Sequence, residues 1–139
     1  LAHARQAGVD DARLVFAPKL PNAQHLARYR VADVALDTFP YTSHTTLSDA
    51  LWCGCPAVAL CGETFAARVS GSLLTAAGLP ELITSDLAAY EQLALRLAQD
   101  SAYLHEVRER VRRARDSALF DSPGFTRALE DIYRSLVGE

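Results

Sequence analysis

The sequence predicts an α/β fold: part of a doubly wound, Rossmann-like parallel sheet of about four strands, followed by a helical C-terminal tail. Three observations carry this expectation. Short apolar runs such as "VADVAL" and "PAVAL" alternate with stretches of helical character. The runs are nearly continuous, which suits strands covered on both faces. After Leu82-Ile83 the alternation stops and helical periodicity takes over.

Taken in order, Leu14-Val15-Phe16-Ala17 reads as a first strand ended by Pro18. Asn22 opens a helix to about Tyr29, with Pro21 before it. Val31 to Leu36 is the next strand. Thr45 to about Gly54 reads as a helix closed by Gly54 and Pro56. Ala57 to Leu60 is a third strand, and Glu63 to Ala77 a helix stopped by Gly78 and Pro80. Leu82-Ile83 is a short fourth strand. Helices over Asp86–Gln99, Ser101–Ala118 and Phe125–Val137 complete the chain, so the tail spans about 101–139. Strands separated by helices give a parallel sheet with right-handed crossovers. A doubly wound nucleotide-binding domain has about six strands, so its front strands are expected to be missing from residues 1–139.

The chain has 139 residues, is 50% hydrophobic and carries a formal net charge of −3. That is one domain's worth, long enough for a real core. The slight acidity gives no reason to expect nucleic acid as partner. No run of about 18 apolar residues exists, so no membrane span is expected, and the N-terminus "LAHARQAGVDD" lacks the apolar stretch of a secretion signal. The three cysteines, Cys53, Cys55 and Cys61, fit no usual zinc spacing. They read as small buried apolar residues in a reducing cytoplasm.

In an open parallel sheet, ligands sit beyond the carboxyl ends of the strands. The loops Pro18–Asn22, Asp37–His44 and Leu60–Thr64 should share that rim. A helix starting near Thr45 aims its free backbone N–H groups, and the positive end of its dipole, into the rim. Such a tip binds anions, phosphate above all. Thr45 and Thr46 add hydroxyl donors and His44 an imidazole. The same residues fit plain helix capping by Ser43 or a threonine. Asp49, a turn in, suits ribose hydroxyls or the helix dipole. His25 and Arg28 share a helix face, either toward a nucleotide or toward solvent. Trp52 reads as core, Glu63 and Arg68 as a buried ionic brace, and the arginines of "EVRERVRRARD" as a solvated face behind the stripe Tyr103, Leu104, Val107, Val111 and Ala114.

The blocks "ADVALDT", "HTTLSDALWCGCP" and "GETFAARV", in this order and spacing, resemble the C-terminal catalytic lobe of the O-linked N-acetylglucosamine transferases and the plant Spindly proteins. The resemblance runs over nearly the whole chain. It implies a GT-B fold of two Rossmann-like lobes, with this chain supplying most of the lobe that grips UDP. The family implies transfer of a sugar from a UDP-sugar to a Ser or Thr hydroxyl of a protein, with inversion, without a metal or other cofactor. Carried over, His44, Thr45 and Thr46 would contact the diphosphate, Asp49 the ribose, His25 and Arg28 the nucleoside, and the Leu20 backbone the uracil. The chain departs from the family's pattern at Asn22, where animal enzymes have lysine, and at Leu47 and Ser48, which bears on the donor base and sugar. A phosphate-binding lysine, the general base and the acceptor groove are expected outside this chain, so the chain alone should be inactive. No catalytic residue is therefore expected within it.

The alternatives are a non-catalytic scaffold lobe, a UDP-glucose-dependent asparagine glucosyltransferase or a UDP-sugar epimerase. An orphan flavodoxin-like domain would explain the alternation but not the His-Thr-Thr block. Expected partners are a UDP-sugar and a protein acceptor, with no nucleic acid and no membrane. An open sheet edge could pair with a second copy.

Overall fold

The structure, a computed structural model, describes residues 1–138. Its centre is a three-stranded parallel sheet in the order β1 (Ala35–Leu36), β2 (Ala57–Leu60), β3 (Ile83–Thr84). Ala35 pairs with Ala57 and Leu36 with Val58; Ala59 pairs with Ile83 and Leu60 with Thr84. Around it stand α1 (Ala2–Gln6), α2 (Asn22–Arg28), α3 (Thr45–Trp52), α4 (Phe65–Ala76), α5 (Leu87–Gln99), α6 (Ser101–Arg113) and α7 (Ser122–Val137).

In β2, Ala57, Val58 and Ala59 are all buried. Successive strand residues point to opposite faces, so both faces of β2 are covered, as its unbroken apolar run requires. α3, α4 and α5 all touch this strand. The core joins Val58 to Leu47 and Leu51 of α3, Leu74 of α4, Leu97 of α5, and Val107 and Val111 of α6. The α6 stripe expected from helical spacing is therefore the buried one.

The expected first strand does not form. Residues 14–17 pair with no strand among the described residues, and Val15 and Phe16 are 87% and 77% exposed. An extended segment becomes a strand only when a neighbour accepts its ladder, and none lies alongside. The Val31–Leu36 strand shrinks to two residues for a related reason. Val31 falls in a 3-10 turn with Tyr29 and Arg30, and Leu36, on an edge paired on one side only, is 60% exposed. The fourth expected strand shifts by one residue to Ile83–Thr84 because Leu82 closes a 3-10 turn opened by Pro80.

Helix starts follow local chemistry. Thr64 caps α4 through Ala67 N–H at 3.2 Å, Asp86 caps α5 through Ala89 N–H at 2.8 Å, and Asp100 caps α6 through Tyr103 N–H at 2.9 Å. Asp121 caps α7 through Gly124 N–H at 2.9 Å. Each pairs an otherwise orphaned first-turn donor. α3 lacks such a cap, as do the short α1 and α2: His44 occupies its cap position and no side chain caps it. The helical tail runs through α6, a 3-10 turn and α7; position 139 of that expectation lies outside the described residues.

Three expectations about side chains are corrected. Trp52 is not core: it is 44% exposed and packs edge-on against Phe120 with Arg115 over its ring. Its position at the last turn of α3 brings it to the surface against the tail. Glu63 and Arg68 are both exposed and form no brace, since Glu63 precedes the Thr64 cap while Arg68 lies a turn into the helix. The α6 arginines are not simply solvated. Arg108 donates to the Ala32 carbonyl at 2.8 Å and pairs with Asp33, and Arg110 pairs with Glu81 at 2.6 Å, so they tie α6 to the sheet layer. Of the three thiols only Cys55 is buried.

Candidate functional site

β1 ends at Asp37, where the apolar run breaks. The Asp37 side chain is 6% exposed. Its Oδ1 accepts the backbone N–H of Thr38 at 2.9 Å and of Ser43 at 2.8 Å, so one carboxylate oxygen closes the whole loop from 38 to 43. Tyr90, on α5, donates its hydroxyl to the Asp37 carbonyl at 2.9 Å. Burial pushes the Tyr90 phenol above its ordinary value, and the Asp37 charge adds to the effect. The second oxygen, Oδ2, is buried without a partner. Asp37, Ser43, Thr46 and Tyr29 line a cavity of about 60 Å³ at this strand end.

The loop delivers His44 and the opening turn of α3. Ser43 does not cap that helix; it lies one residue before the cap position, its N–H bonded to Asp37 and its carbonyl to the Ser70 hydroxyl at 2.8 Å. Thr45 and Thr46 are exposed and donate no capping bond either. The plain-capping alternative is therefore excluded by geometry. First-turn N–H groups have no partner within a helix, so the tip of α3 presents bare donors and the positive dipole end beside two threonine hydroxyls.

The His44 imidazole stacks on Tyr41 (centroids 5.2 Å apart, planes at 17°) and meets Phe65 edge-on at 6.4 Å. Its Nε2 is shielded from water and has no hydrogen-bond partner. An unpaired buried nitrogen is costly in isolation. A ligand oxygen arriving at this tip would give it a partner.

The other residues expected at the site connect to α3 through Tyr29. The Tyr29 hydroxyl donates to the Thr46 carbonyl at 3.2 Å, and His25, one turn earlier, meets the Tyr29 ring edge-on at 5.5 Å. Arg28 donates to the Pro18 carbonyl at 2.8 Å, which fixes the turn carrying half-buried Leu20. Asp49 is half-buried on α3. Burial pushes the Tyr29 phenol up, and the Asp49 charge adds to the effect. The structure thus links His25 and Thr46 through Tyr29, with Asp49 one turn along α3 from Thr46. His44 and Thr45 sit at the same helix tip, while Arg28 and Leu20 reach the group through the helix that carries His25.

Asp37, Tyr29, Thr42, Ser70 and Tyr90 were not singled out by sequence reasoning. The first two left a signal: an acid ending an apolar run, and an aromatic one helical turn after His25. Ser70 and Tyr90 lie 27 and 53 residues from their loop partners, and nothing local announces them. Among the described residues no cluster of three or more His, Cys, Asp or Glu side chains could hold a metal, and no helix is long and apolar enough to cross a membrane.

The profile of Glycosyl transferase family 41 matches residues 1–129. The chain belongs to that family. This family 41 chain is 37% identical over 138 residues to the probable UDP-N-acetylglucosamine–peptide N-acetylglucosaminyltransferase SPINDLY of Hordeum vulgare, covering 98% of this chain and 15% of that protein. It is 39% identical over 126 residues to the UDP-N-acetylglucosamine–peptide N-acetylglucosaminyltransferase of Caenorhabditis elegans, covering 90% of this chain and 11% of that one. A solved mutant of the Thermobaculum terrenum O-GlcNAc transferase superposes with a TM-score of 0.88 at 42% identity, over 94% of this chain and 25% of the solved one. The family 41 chain therefore shares the α/β arrangement of that enzyme and spans a minor part of each relative's length.

Proposed function

We propose that this chain is the UDP-sugar-gripping part of a protein O-glycosyltransferase, which moves N-acetylglucosamine from UDP to Ser or Thr hydroxyls. The observation that carries the reading is the uncapped tip of α3, flanked by Thr45, Thr46 and the unpaired Nε2 of His44. The diphosphate lies against that tip, Asp49 takes the ribose hydroxyls, and His25, Arg28 and the Leu20 backbone hold the nucleoside.

In the transfer, the acceptor oxygen bonds to C1 of the sugar as the bond from C1 to the β-phosphate oxygen breaks. The acceptor's proton passes to a base, and UDP leaves with the electron pair. Charge builds on the β-phosphate at that moment. Oriented N–H groups and hydroxyls stabilise it where it develops, each worth about 3 kcal/mol of barrier. These donors stand in for a metal, so we propose a metal-independent reaction with no cofactor. The acceptor groove and the base lie outside residues 1–139, and half a cleft cannot position two substrates. The chain by itself therefore transfers nothing. The intact enzyme works in the cytoplasm.

Calorimetric titration of UDP into the protein and its Thr46→Ala variant tests the site. Weaker binding by the variant is expected; equal binding would remove Thr46 from the diphosphate role. Incubating the intact protein with UDP-N-acetylglucosamine and a Ser/Thr peptide, with and without a chelator, tests the reaction. Loss of transfer in the chelator would sink the metal-free mechanism.

A further inference from the structure

The loop between β1 and α3 has no regular secondary structure over residues 37–44, yet its middle is locked. Thr42 is 1% exposed. Its N–H and its hydroxyl both donate to the Ala66 carbonyl, at 3.0 and 2.6 Å, and its Oγ1 accepts the Ser70 N–H at 3.2 Å. Ala66 and Ser70 are four apart in α4, the spacing of one backbone rung. Thr42 therefore stands at that rung and binds both of its ends. One residue on, the Ser43 carbonyl takes the Ser70 hydroxyl.

Nothing in this arrangement touches the anion tip directly. It fixes what does. His44 is two residues beyond Thr42, and the bare N–H groups of α3 follow at once. With Asp37 holding the loop's two ends and Thr42 its middle, the tip of α3 is set against the first turns of α4.

We propose, on the footing of the UDP site described above, that Thr42 is a positioning residue: its hydroxyl, spliced into α4 between Ala66 and Ser70, sets where His44 and the α3 tip meet the diphosphate. A valine of the same shape keeps the backbone bond to Ala66, but its side chain can neither donate to Ala66 nor accept from Ser70. A serine can do both.

The test uses the full-length protein as wild type, Thr42→Val and Thr42→Ser. Amide hydrogen exchange over residues 38–47 is measured without nucleotide, and UDP affinity by calorimetry. Thr42→Val should exchange faster across that segment and bind UDP about tenfold more weakly, the scale of a small misplacement. Thr42→Ser should restore both to within about threefold. Native affinity in Thr42→Val overturns the proposal. So does a Thr42→Ser variant as weak as Thr42→Val, since shape rather than the hydroxyl would then matter. If Thr42→Val does not fold, Thr42→Ala replaces it, since it also removes the hydroxyl, and unchanged UDP affinity there overturns the proposal equally. Failure of the wild type to bind UDP would instead sink the site reading, while the exchange measurement still decides whether Thr42 holds the loop.

Discussion

The Tyr29 hydroxyl donates to the Thr46 carbonyl at 3.2 Å, which ties the turn after the helix that carries His25 to the tip of α3. Tyr29→Phe removes that bond and little else. We expect UDP binding about threefold weaker and a stability loss of about 0.5–1.5 kcal/mol. Calorimetry and urea unfolding measure the two. Native UDP affinity would show that Thr46 needs no such support.

Asp37 should matter more to folding than its size suggests. Asp37→Ala leaves two loop N–H groups without their acceptor and is expected to cost about 1–3 kcal/mol. Asp37→Asn keeps an acceptor for both and should cost less. Urea midpoints compare them; a ranking with Asn worse than Ala would contradict the backbone-closing role.

Tyr41 covers His44 while being 64% exposed itself. Tyr41→Ala frees the imidazole face. Stability should change by less than about 0.5 kcal/mol, as for other surface positions, and UDP binding should tighten by about threefold as Nε2 becomes easier to reach. Weaker binding would mean that the stack holds His44 in its working orientation.

Alkaline pH should weaken the fold. Burial pushes the Cys55 thiol above its ordinary value, with Arg108 pulling partly the other way. Below the unfolded thiol's pKa of about 8.5 both states keep the proton. Above it the unfolded chain ionises first, so stability falls as pH rises toward the folded value. Burial likewise raises Tyr29 and Tyr90, which extends the loss past about pH 10. Urea midpoints at about pH 7.5 and 9.5 should differ less in Cys55→Ala than in wild type. An identical drop would assign the loss to other groups.

The helices were the legible part of the fold, because their starts and stops are written locally. Thr64, Asp86 and Asp100 stand one residue before the helices they cap, and Gly78 follows α4 with a positive φ of 75°. The strands were legible only as apolar runs. Val15 and Phe16 look like core in one dimension, yet a strand depends on what lies beside it. Trp52 misled for a similar reason: its hydrophobicity is local information, and its contact with Phe120 and Arg115 is not. Near the candidate site, the start of α3 at the His-Thr-Thr block was readable. The loop's anchorage to Ser70 and Tyr90 was not, since those bonds join positions far apart in the chain.

The missing cap on α3 has a thermodynamic consequence. A helix whose leading donors find no side chain is left short of satisfaction until something negative docks there, so under the proposed function a bound nucleotide would serve as a detachable cap. Occupancy and melting are then coupled, by about 2.7 kcal/mol at a hundredfold excess over Kd. Fraying of this corner would therefore report how much nucleotide surrounds the protein.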